Sequence, residues 1–81
     1  MTVVAAPKFF LHIRDKDRLI EDPEGVEVAS VEAARLHAVE AARELAAEGL
    51  IRAGQLEGQS FEIADEHGQV HARLPLAEIL S

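Results

Sequence analysis

Four histidines, His12, His37, His67 and His71, are the side chains of this sequence that ordinarily titrate near neutral pH, and there is no cysteine. Proton transfer or metal binding would therefore have to run through these imidazoles and nearby carboxylates. His67 falls in the tight-turn string Asp65-Glu66-His67-Gly68, where it reads as a substitute for Asn or Asp. His12 and His71 lie in alternating stretches, on the side opposite the apolar residues, and would meet if the first and fourth strands were neighbours. Two imidazoles do not close a zinc site, which needs four ligands or three plus water. A second row, His37-x-x-Glu40-x-x-x-Glu44-x-x-x-Glu48, has helical spacing and places its members on successive turns. Related spacings hold metals in helical bundles, but with ligands from several helices, and this chain has one long helix. A solvated flank, whose carboxylate repulsion is relieved by Arg35, Arg43 or a basic partner, accounts for the row more simply.

Nucleophilic chemistry has little to start from. Ser30 reads as a helix cap, Ser60 opens a strand, Ser81 is terminal and Thr2 lies in a small-residue leader. The five glycines, at 25, 49, 54, 58 and 68, fall at turns and assemble no phosphate loop. The expectation is a non-enzymatic protein without a cofactor.

The elements that would position these residues follow from periodicity. A leader spanning residues 1–7 precedes a single domain over 8–81. In the first strand, Lys8 to Ile13, Phe9, Leu11 and Ile13 face a core while Phe10 and His12 face away. A hairpin turn at Arg14 to Arg18 leads to a short strand, Arg18 to Glu21, whose loop parity decides whether Ile20 or Leu19 turns inward. Asp22-Pro23-Glu24-Gly25 has the residues of a type I turn. Ser30 caps a helix starting at Val31, whose stripe of Val31, Ala34, Ala38, Ala41, Ala42 and Leu45 faces the sheet. Its end is placed at Gly54, with a left-handed Gly49 and Leu50 folding back on Leu45 as the alternative. A second hairpin, Ser60 to Ala64 and Gln69 to Leu74, must set Phe61 and Ile63 on the same face as Val70, Ala72 and Leu74. Only an even loop, of two or four residues, does this, and a two-residue His67-Gly68 loop pairs Glu62 with Arg73 and Ala64 with His71. Pro75 ends the strand, and Leu76 to Leu80 forms a helical turn over the open end of the core.

The expected fold is α+β: a four-stranded antiparallel sheet with one long helix on one face, in the order ββαββ plus the C-terminal turn. Eighty-one residues with 48% hydrophobic content support one small core and exclude a second domain. The apolar runs are too short to span a bilayer and no basic signal region precedes them, so a cytoplasmic location is expected. The formal charge of −7, with basic residues scattered, disfavours nucleic acid and anionic membrane as partners. It is compatible with a basic protein or simply with solubility.

The strings Phe10-Leu11-His12-Ile13-Arg14-Asp15, Arg18-Leu19-Ile20-Glu21-Asp22-Pro23-Glu24-Gly25, Glu32-Ala33-Ala34-Arg35 and Phe61-Glu62-Ile63-x-Asp65-Glu66-x-Gly68 resemble a family of small bacterial, rhizobial-type proteins of unknown function. The resemblance covers Lys8 to Leu80 and implies no activity. The turn at Asp22 and the helix start at Ser30 are also similar to the N-terminal module of HicB-type antitoxins, which would imply a basic protein partner. The chain departs from that pattern in having no C-terminal DNA-binding segment.

Taken from the residues themselves, the sheet face away from the helix, with Phe10, His12, Glu62, His71 and Arg73, is the candidate surface for a protein partner or a homodimer. A metal or small ligand held by His12 with His71, or by His37 with Glu40, is the alternative.

Overall fold

The computed structural model describes residues 6–49 and 57–80. The elements are β1 (Lys8–Asp15), β2 (Arg18–Ile20), β3 (Val26–Glu27), α1 (Val31–Ala47), β4 (Gln59–Ala64), β5 (Val70–Pro75) and α2 (Leu76–Ile79). The α+β architecture with an antiparallel sheet stands as expected, but the sheet has five strands. In the order β2-β1-β4-β5, the fifth strand, β3, pairs with β1. The extra strand is two residues long, and Val26-Glu27 is too short to show alternation.

β2 and β3 lie along the same edge of β1 and are separated by the Asp22 turn. Ile13 pairs with Ile20 and Phe9 with Val26, so the chain leaves the sheet after β2 and returns two residues out of register. The gap is filled from the side: the Asp22 carboxylate accepts from the Leu11 N–H at 3.2 Å, and the Asp22 N–H donates to Nδ1 of His12 at 3.0 Å. Gly25 closes the turn at φ +74°, where a Cβ would stand 3.0 Å from the Phe9 carbonyl oxygen and from the Phe10 ring.

The first hairpin has a two-residue loop, Lys16-Asp17, so parity puts Ile20 on the helix side. It is nevertheless 44% exposed, because β2 is an edge strand outside the reach of the helix. Helix α1 begins as its sequence requires, with the Ser30 hydroxyl accepting from the Ala33 N–H at 3.1 Å. It stops earlier than the expected Gly54. Glu48 is the C-cap, and Gly49, at φ +76°, donates its N–H to the Ala46 carbonyl. A left-handed glycine carries no steric cost there, so the first available stop is used. The packing of Leu50 on Leu45, and the residues of the leader up to position 5, lie outside the described residues.

Ala34, Ala38 and Ala42 are fully buried, four residues apart, and set α1 close against the sheet. The core divides into two adjoining halves. Phe61 and Leu76 pack with Ala38 and Ala42, flanked by Leu11, Ile13 and Leu74. Phe9 and Ile63 pack with Ala34, flanked by Val26, Val28 and Val31. Each large buried side chain stabilises the fold by about 1.5–3 kcal/mol. Leu76 brings α2 over the end of the core, as its sequence position suggested.

The second hairpin departs from the two-residue reading. Phe61 pairs with Leu74, Glu62 with Arg73 and Ile63 with Ala72, all as expected, but a register shift then pairs Ala64 with Val70. His71 is the extra residue of a β-bulge. The loop is Glu66-His67-Gly68, with Gly68 at φ +84° and its N–H bonded to the Asp65 carbonyl. This is the three-residue solution of a type I turn followed by a left-handed glycine.

Candidate functional site

On the side away from α1 the sheet has no second layer among the described residues, yet every residue of β4 from Ser60 to Ala64 is buried. What covers this side is a row of polar side chains across three strands. Glu62, 2% exposed, sits between two arginines. Arg14 Nε donates to its Oε2 at 2.9 Å and Arg73 Nη2 to the same oxygen at 3.1 Å. Arg14 Nη2 lies 3.5 Å from Oε1. Arg73 is directly opposite Glu62 on β5 and Arg14 is diagonal to it from β1, the two positions from which long side chains meet across a sheet. The Arg14 hydrogen bond and charge, supported by Arg73, outweigh desolvation and hold the Glu62 carboxyl below its ordinary range. Reciprocally, Glu62 raises Arg14.

Next to this row, Phe10 and His12 stack with ring centroids 5.9 Å apart, and the Lys8 ammonium lies 5.8 Å from the Phe10 centroid. Because Nδ1 of His12 accepts from the Asp22 N–H, the proton of the neutral ring belongs on Nε2. Phe10, His12 and Asp22, with Glu21, Pro23, Asp65, Glu66 and Gly68, line a cleft of about 360 Å³. Its carboxylates serve the fold first. Burial pushes Asp22 up, but the N–H groups of Leu11, Gly25 and Glu24 and the His12 ring bring it below its ordinary value. Asp65 is lowered by His71, whose Nε2 donates to Oδ2 at 2.8 Å, and by the N–H groups of Gln69 and His67. Glu66 accepts from the Lys8 N–H at 3.2 Å. A second groove, about 300 Å³, lies between α1 and the β5–α2 corner, with Leu36, Val39 and Ile79 in its wall.

Of the five residues expected on the open face, Phe10, His12, Glu62 and Arg73 share it. His71 does not. The bulge turns it to Asp65 and to the edge of the core residue Phe9, with ring centroids 6.1 Å apart, and moves Val70 to the open face beside Ala64, 45% exposed. Val70 was expected among the core residues, and Ala64 was expected opposite His71. The His12–His71 pair therefore fails twice: β4 separates their strands, and the rings belong to opposite sides. His37, Glu40, Glu44 and Glu48 are all exposed on or just after α1. No group of three His, Asp or Glu residues arranged to hold a metal is found among the described residues.

Sequence reasoning missed Arg14, Lys8 and Val70 as members of this face. Arg14 had been placed in the hairpin turn. The usable signal was that the alternation Lys8, Phe10, His12, Arg14 runs without a break, so β1 extends to Asp15. Val70 was hidden by the bulge, for which Asp65 and Gly68 at the first and fourth turn positions were the visible cue.

Among the described residues no helix is long and apolar enough to cross a membrane. No curated protein and no solved structure matches the chain. Residues 8–77, which hold β1 to β5, α1, the Arg14–Glu62–Arg73 row and the Asp22 turn, match a described family throughout, and the chain belongs to it: DUF6894, a domain of unknown function.

Proposed function

We propose that this chain is a non-enzymatic protein-interaction module that works through the outer face of its sheet. The observation that carries the reading is the layer count. One side of the sheet is covered by α1 and α2. The other presents half-buried Phe10, 45%-exposed Val70 and two arginines ordered over a buried carboxylate, an arrangement of fixed polar and apolar groups suited to recognition. The separation of His12 from His71 removes the support for a metal-binding reading that rests on that pair.

Pull-down from native lysate tests this reading, comparing the wild-type chain with Val70→Asp and Phe10→Asp, each checked for folding by circular dichroism. Loss of the same captured protein in both folded variants, or loss of a dimer seen by light scattering, is the expected result. Identical captured sets for wild type and Val70→Asp, with a monomer throughout, would remove the face from consideration.

A further inference from the structure

We propose that α1 docks a second copy of this chain, the two helices lying antiparallel along a seam of Glu32, Leu36, Val39 and Arg43. The inference concerns the helix layer and does not depend on the interaction-module reading of the outer sheet face.

The buried stripe of α1, Ala34, Ala38 and Ala42, accounts for one side of the helix. A second row remains outside it. Glu32, Leu36, Val39 and Arg43 recur at intervals of four, three and four residues, the spacing that keeps a row in line where one helix packs along another. Leu36 is 63% exposed, more than any other large apolar side chain among the described residues, and Val39 beside it is half-buried. A lone exposed leucine is ordinary. This one stands on the groove of about 300 Å³, whose wall continues through Val39, Leu74, Pro75 and Ile79. An apolar knob thus adjoins an apolar hollow, and a two-fold axis relating two copies would set each knob in the other's hollow.

Charge selects the occupant and its direction. About a two-fold axis midway between Leu36 and Val39, an antiparallel α1 sets Leu36 against Val39 of the other copy, and Glu32 against Arg43 of the other copy at both ends. A parallel pairing in register would oppose Glu32 to Glu32 and Arg43 to Arg43. A partner of one charge sign would meet repulsion at one end of the seam, whereas a second copy meets it at neither. Glu32 is free to re-pair, because its contact with Arg35 is an exposed one at 3.8 Å that contributes little. Beside the seam, Glu32 and Glu40 are offset by Arg35 and Arg43, with Glu78 on the far wall of the groove. This surface is therefore much closer to neutral than the chain as a whole, at −7.

The seam from Glu32 to Arg43 is roughly 17 Å long at 1.5 Å per residue. So short a contact fits a reversible dimer of about micromolar affinity. Because α1 lies on the side of the sheet opposite Phe10 and Val70, both copies would keep their outer sheet faces open, and the dimer would present two of them.

Sedimentation equilibrium of the whole chain, from about 5 to 500 µM, tests the proposal. Wild type is expected to pass from monomer to dimer, Val70→Asp to do the same, and Leu36→Lys, with unchanged circular dichroism, to dimerise at least about tenfold more weakly. Arg43→Glu and Glu32→Arg should each weaken self-association. Mixed in equal amounts they should associate with each other, and the double variant Glu32→Arg, Arg43→Glu should regain the wild-type dimer, since its reversed pairs match again only in the antiparallel arrangement. A monomer throughout the range, a dimer indifferent to Leu36→Lys, or a double variant that stays as weak as the single ones would overturn the proposal. A dimer lost in Val70→Asp and kept in Leu36→Lys would do so as well, assigning self-association to the outer sheet face. A protein captured from lysate by wild type and lost only in Val70→Asp would leave the interaction-module reading standing whichever way the sedimentation falls.

Discussion

The two faces of the sheet keep β4 dry by opposite means. On the helix side, Phe61 and Ile63 meet an alanine stripe, and the burial is apolar contact throughout. On the outer side, Glu62 is shielded by the stems and guanidiniums of Arg14 and Arg73, with Phe10 stacked on His12 beside them. The first solution is spread over two adjoining apolar clusters. The second depends on one cross-strand pair and one diagonal, so a slip of one residue would abolish it.

Substitutions that attack one face at a time sharpen this contrast. Ile63→Ala removes the largest fully buried aliphatic side chain of β4 and should cost about 3–4 kcal/mol in urea denaturation followed by circular dichroism. A loss below about 1 kcal/mol would mean that the helix face is not the main source of stability. Glu62→Ala should cost less, about 1–3 kcal/mol, because the arginines it releases can turn to water while the backbone stays paired. Should it equal or exceed Ile63→Ala, the ranking of the two faces is reversed. Between the two partners of Glu62, Arg14→Ala should be the more damaging. Arg73, more exposed, should cost no more than about 0.5 kcal/mol when replaced by Ala.

Acid offers a way to dissolve one face selectively. Glu62, Asp22 and Asp65 all have folded values below their ordinary ones: Glu62 through Arg14, Asp65 through His71, and Asp22 because its amide donors prevail over burial. A depressed carboxyl contributes stability that is fully present above its unfolded value, about pH 4, and is lost as pH falls through the folded value. The urea midpoint should therefore be flat from about pH 5 to neutrality and fall below about pH 4, with the fall reduced in Glu62→Gln. An unchanged midpoint down to pH 2 would contradict the assigned hydrogen bonds. The smallest contrast concerns two left-handed glycines. Gly25→Ala meets the Phe9 carbonyl and the Phe10 ring, whereas Gly49→Ala meets nothing within 4 Å, so Gly49→Ala should cost only the conformational term of about 1 kcal/mol and Gly25→Ala clearly more.

The helix face was legible in the sequence because apolar periodicity repeats: the Ala34, Ala38, Ala42 stripe and the Phe9, Leu11, Ile13 alternation each appear several times over. The outer face was legible only as far as register could be inferred. The Glu62–Arg73 pair expected from a two-residue loop holds because the three-residue loop and the bulge at His71 offset each other, whereas the Arg14 diagonal required knowing which strand lies beside β4. His71 and Val70 exchanged sides because a bulge inserts one residue without changing composition or hydrophobic count. The early helix stop at Gly49 shows the same limit, since two glycines competed and only local geometry chose between them.

The Asp22 carboxylate on the Leu11 N–H bears on behaviour in concentrated solution. Between β2 and β3 the outer edge of β1 is left without a strand, and a free amide row at such a position templates pairing with another molecule. Here a negative charge occupies the donor and repels incoming backbone carbonyls. Asp22→Ala, or acid that neutralises this carboxyl, should therefore promote strand-to-strand aggregation before the helix unfolds. Asp22 thus closes the one stretch of the β1 edge that lies between β2 and β3.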